Sequence, residues 1–132
     1  MKASAWMLIL YSALLMVAGN GYAANASAAD GGETMNTYVI FFGFTAEGIQ
    51  NIKASPERVR DAKATVEAMG GEMKAFYGIL GSEFDTMFIL DAPGDEAVSK
   101  MVLTIAKGGN VRTRTHRLFT EQQYGKLISE LP

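Results

Sequence analysis

The order and character of the hydrophobic segments predict an α+β domain, a ferredoxin-like βαββαβ sandwich closed by a C-terminal helix. Three observations carry that reading. Two segments, Thr37–Phe44 and Phe84–Leu90, carry apolar residues on both faces, Tyr38/Ile40/Phe42/Phe44 with Val39/Phe41/Gly43 and Met87/Ile89 with Phe88/Leu90, as strands central to a sheet do. Two others, Glu72–Leu80 and Val111–Phe119, mix apolar with polar residues, as edge strands do. Between them lie helical patterns ended by Gly70-Gly71 and Gly108-Gly109.

In chain order, Thr37–Phe44 (TYVIFFGF) is a strand rich in β-branched and aromatic residues. Thr45–Lys53 is a connection with about one helical turn. Ser55-Pro56 opens a helix, with serine expected as N-cap and proline in the first turn. Val59, Ala62, Val66 and Met69 recur on one face of that helix. The second strand and the third are joined by Gly81-Ser82-Glu83, which predicts an antiparallel hairpin. Asp91–Asp95 breaks the chain before a helix with the stripe Val98, Met101, Val102 and Ile105. After the fourth strand, Thr120–Gln123 reads as a capping box for a last helix carrying Tyr124, Leu127, Ile128 and Leu131.

The first 26 residues have the layout of a secretory signal peptide. Lys2 precedes an apolar run from Ala5 to Val17, shorter than the roughly 20 residues that span a bilayer. Small-x-small sites follow at Gly21-Tyr22-Ala23, Ala24-Asn25-Ala26 and Ala26-Ser27-Ala28, which puts cleavage near residues 23–28. Residues 27–36 then form a flexible lead-in and residues 37–132 the folded domain. The protein is expected to be exported, periplasmic or secreted, touching the membrane only through an uncleaved signal segment.

Composition removes several function classes. The chain of 132 residues has 48% apolar and 20% charged residues and a net charge of −2, which fits one globular domain and argues against a nucleic-acid surface. It has no cysteine, so disulfides, thiolate nucleophiles and Cys-ligated metals are excluded. A single histidine rules out a His-rich metal site, and the glycine pairs match no phosphate-loop or dinucleotide motif. No cofactor or metal is expected.

The polar chemistry concentrates in the fourth strand. Arg112, Arg114 and His116 alternate there and so share one face. Together with Tyr77 and Asp85 near the second hairpin, they form the candidate ligand site, suited to a small anionic or carbonyl-bearing molecule. The same pattern also serves an edge strand kept soluble by charge. An aspartate buried beside Arg112 or Arg114 would be an ion pair.

These stretches together resemble the GYD-domain family of small bacterial proteins. The resemblance rests on Thr37-Tyr38-Val39, Thr45–Ile49, Ile52–Arg58, Gly70-Gly71 with Phe76-Tyr77, Asp91-Ala92-Pro93, Gly109–Thr113 and Phe119-Thr120-Glu121. The family's Gly-Tyr-Asp signature stands here as Gly81-Ser82-Glu83-Phe84-Asp85, with phenylalanine in place of tyrosine. The resemblance implies a dimeric α/β-barrel type of assembly and no particular reaction, so whether the protein is an enzyme is left open.

Two functions are weighed from the sequence. One is a homo-oligomeric small-molecule-binding protein with its pocket at the sheet, which could extend to an oxygenase or isomerase. The other is a non-catalytic protein-interaction or oligomerisation module. An enclosed pocket holding His116 or an arginine favours the first; those groups in open solvent favour the second. The expected N-terminus is itself testable: protein sequenced from the native cell should begin between Ala24 and Ala29, and a soluble product retaining Met1 or Lys2 would contradict export.

Overall fold

A computed structural model describes residues 34–132; the expected signal segment and most of the lead-in lie outside the described residues. The elements are β1 (Asn36–Phe44), α1 (Ala46–Gln50), a 3-10 turn (Ile52–Ala54), α2 (Ser55–Ala68), β2 (Glu72–Gly78), β3 (Thr86–Ala92), α3 (Asp95–Ala106), β4 (Val111–Leu118) and α4 (Glu121–Ser129). The sheet is antiparallel in the order β2-β3-β1-β4, so the two doubly apolar strands are central and the two mixed strands are edges.

Strand alternation divides the side chains of the sheet between two faces. Tyr38, Ile40 and Phe42 of β1 and Phe88, Leu90 and Ala92 of β3 point to α2 and α3. There they pack with Ala62, Val66, Val98 and Met101 into one core. The Phe88 ring is central, with Phe42 and Phe76 set edge-on to it at 4.9 and 5.8 Å between centroids. Phe88, Ile40, Leu90, Met101 and Val66 are almost wholly buried, each contributing about 1.5–3 kcal/mol by removal from water. Tyr38 lies in the same layer and donates its hydroxyl to Asp95 Oδ1 at 2.5 Å. Burial and, after it, that carboxylate raise the phenol above its ordinary pKa.

The helix boundaries follow local chemistry, with one correction. Ser55 does not cap α2. The 3-10 turn runs directly into the helix, leaving Ser55 itself helical at φ −56°, ψ −42°, and no side chain caps the start. Pro56 does sit in the first turn. At the other end Gly70 takes φ +81° and donates to Glu67 O, while Gly71 donates to Val66 O at 2.9 Å, which is a Schellman ending. The capping box at α4 is present: Thr120 Oγ1 accepts from Gln123 N, and Gln123 Oε1 accepts from Thr120 N.

The hairpin also differs from the sequence reading. β2 stops at Gly78 and β3 starts at Thr86, so Ile79–Asp85 is a longer loop than Gly81-Ser82-Glu83. It is drawn back onto the sheet because Asp85 N donates to Phe42 O at 2.9 Å and Ile79 N to Asp85 O at 2.7 Å. β3 also runs on through Asp91 and Ala92, which pair with β1, rather than breaking at Asp91. β4 ends at Leu118, one residue before Phe119.

The connection after β1 is held against the turn into β4. Thr45 N donates to Asn110 O, Thr45 Oγ1 donates to Gly109 O, and Gly48 N donates to Thr45 Oγ1. Gly48 is buried where a Cβ would lie 2.1 Å from Asn110 O. Gly48→Ala should therefore lower stability by about 1–3 kcal/mol in denaturant unfolding. Gly78→Ala, where a Cβ meets nothing within 4 Å, should change it by less than about 0.5 kcal/mol.

Candidate functional site

Pairing register places the fourth-strand residues. Arg112, Arg114 and His116 lie opposite Gly43, Phe41 and Val39 of β1. They share the sheet face that the helices leave uncovered. Met87 and Ile89 of β3 and Ala75 and Tyr77 of β2 continue that face, each set by its register partner. The open face therefore has an apolar centre and a cationic margin along β4.

The hairpin loop reaches over this face. The Phe84 ring lies 5.3 Å from that of Phe41, and the Arg114 guanidinium stands 5.1 Å above Phe84. Arg114 Nη1 also meets Glu83 Oε1 at 3.0 Å, with both side chains more than half exposed. An exposed pair of this kind contributes about 0–1 kcal/mol. His116 packs edge-on to Phe41 at 6.2 Å and is otherwise exposed. Phe84 thus supplies a ring to the open face and no hydroxyl.

Asp85 does not pair with an arginine. Its Oδ2 accepts the backbone N–H of Phe44 at 2.7 Å, and its backbone bonds Phe42 and Ile79, so it fastens the hairpin loop to the end of β1. Tyr77 is on the open face and more than half exposed. The structure therefore brings together Arg112, Arg114 and His116, sets Tyr77 on the same face at the opposite edge of the sheet, and gives Asp85 a bridging place. Glu83 and Phe84 as partners of Arg114 did not show in the sequence, where Glu83 falls in an apparent turn and Phe84 at the start of an expected strand.

The opposite side of the sheet holds a cavity of about 240 Å³. It opens between the N-terminal half of α2 and the C-terminal end of α3. Phe42, Phe88, Val59 and Ile105 are among its apolar residues; Arg58, Asp61, Thr65, Thr86 and Thr104 supply polar groups. None of the fourth-strand candidates lines it. No cluster of three or more His, Asp or Glu side chains suited to a metal occurs among the described residues. None of the described helices is long and apolar enough to cross a membrane.

A four-stranded antiparallel sheet in this order, with two helices on one face, defines a ferredoxin-like α+β domain. Solved structures agree on that fold. Ribosomal protein S6 of the 30S subunit from Thermotoga maritima is similar with a TM-score of 0.53 and 13% identity, covering 74% of this chain and 100% of that one. MtbAldR is similar with a TM-score of 0.51 and 14% identity, covering 77% of this chain; the match spans only 62% of the MtbAldR chain. Within that fold, residues 38–128 match the GYD domain, and the chain belongs to the GYD domain family. The glutamine synthetase and cystathionine beta-lyase binding protein of Thermus thermophilus is 27% identical over 82 residues, which is 61% of this chain and 85% of the relative.

The two carboxylates beside the open face do different work, and mutation separates them. Asp85→Ala leaves the Phe44 N–H without its charged acceptor and should cost about 1.5–3 kcal/mol. Glu83→Ala breaks only an exposed pair and should cost under about 1 kcal/mol. Equal losses in thermal unfolding would contradict the bridging place of Asp85.

Proposed function

We propose that this protein is an exported, non-catalytic association module that works as a homo-oligomer through its open sheet face. The observation that carries the reading is an apolar surface the domain does not cover. Phe41, Met87 and Ile89 are only partly buried on the open face. Beyond β4 every residue from Phe119 to Pro132 is exposed, although Tyr124, Leu127 and Ile128 form one stripe along α4 and Leu131 follows it, at 46–64% exposure. Monomers seldom leave so much apolar surface in water, and a symmetric copy covers such a face without a second gene product.

The fourth-strand cations fit this reading as the polar margin of an interface. They are exposed rather than enclosed, and Arg114 already has Glu83 and Phe84 as neighbours. Interface margins are polar and wet in this way around an apolar centre. The Thermus relative, named for binding two enzymes, supports association as the class of function. Export rests on the pattern of residues 1–26.

Light scattering at micromolar concentration should give at least twice the mass of the mature chain. Tyr77→Glu with Met87→Lys, cross-strand partners on the open face, should shift it to monomer while circular dichroism keeps the folded signal. A wild-type monomer under those conditions would defeat the proposal.

A further inference from the structure

We propose that the cavity between α2, α3 and the sheet is a binding site for a small zwitterion with an apolar tail, in chemical class a free α-amino acid with an aliphatic side chain. It lies across the sheet from the association surface and is independent of it.

The cavity offers three things in one place. Its floor is apolar, with Phe42, Phe88, Val59 and Ile105 in the lining. Its rim carries one cation and one anion, Arg58 and Asp61, three residues apart and so on one face of α2. Its size, about 240 Å³, falls below the roughly 300–1,000 Å³ of sites for drug-sized ligands, which selects a smaller molecule.

The guanidinium is held in place before any ligand arrives. Arg58 Nη1 donates to Asn51 O at 3.0 Å and Nη2 to Gly48 O at 3.1 Å. These bonds use two of its five N–H donors and leave three for a carboxylate. A fixed, planar fork loses little freedom on taking such a partner. Asp61 makes no ion pair among the described residues, and its backbone carbonyl, not its carboxylate, accepts from Thr65 Oγ1. It is therefore free to accept from an ammonium group. Thr86 and Thr104 add hydroxyls to the wall. A ligand with one charge alone would gain only one of the two charge-assisted contacts at the rim, and an apolar ligand neither.

The test is titration of the protein with L-leucine, followed by backbone amide NMR. Leucine should shift amides of Val59, Ala62 and Ile105. Isopentylamine and 4-methylpentanoate, each with one of the two charges, should bind at least about tenfold more weakly, the scale of one lost charge-assisted hydrogen bond. Asp61→Asn should weaken leucine by about tenfold and leave 4-methylpentanoate unchanged. Thr104→Trp, which sets an indole in the cavity wall, should abolish binding with the fold retained. The proposal is overturned if leucine gives no shifts at tens of millimolar, if the shifts fall on β4 instead, or if the three probes bind alike.

Discussion

The constraint on which the rest of this structure depends is that β1 is hydrogen-bonded along both edges, to β3 on one side and β4 on the other. A strand so placed has no polar edge to give to water, and its residues can only face one side of the sheet or the other. Tyr38, Ile40 and Phe42 take the side with α2 and α3. Val39, which is buried, and Phe41, which is partly buried, are thereby committed to the other side, away from α2 and α3. The core and the open face are two results of one alternation. At Val39 and Phe41, a residue that suits β1 as a central strand also adds apolar area to the face away from α2 and α3.

The energetics of the two faces differ accordingly. On the helix side, Phe88 and its neighbours are removed from water by the domain itself. On the open side the same kinds of residue are joined by groups of weaker effect: an exposed Arg114–Glu83 pair, a guanidinium over Phe84, and the Lys74–Asp91 contact at 3.2 Å. Such contacts order side chains more than they stabilise the fold. They leave a surface that is organised but still hydrated.

The sequence shows the architecture more readily than the sites, for a physical reason. Strand and helix periodicities are repeated over many residues, so the central place of Thr37–Phe44 and Phe84–Leu90 and the capping box at Thr120 can be read directly. The shared face of Arg112, Arg114 and His116 follows from the same period. What they meet does not follow from it. Phe84 and Glu83 reach Arg114 because Asp85 pulls a seven-residue loop back to Phe44 and Phe42, a contact across about forty positions with no local signal. The same holds for Ser55, a good cap by composition, which lost that place to the 3-10 turn preceding it. The helix-side cavity was hidden too, since Arg58 and Asp61 read as ordinary solvent-facing residues of an amphipathic helix.

The fastening of the hairpin loop has an evolutionary consequence. Asp85 and the backbone around it anchor one end of the loop to β1, while Glu83 and Phe84 lie outward over the open face. Residues between Ile79 and Phe84 can thus be exchanged, lengthened or shortened without disturbing the packing around Phe88. The anchor and the display are separate parts of one segment. A fold arranged in this way can acquire new partners by editing a few loop positions, leaving its folding problem already solved.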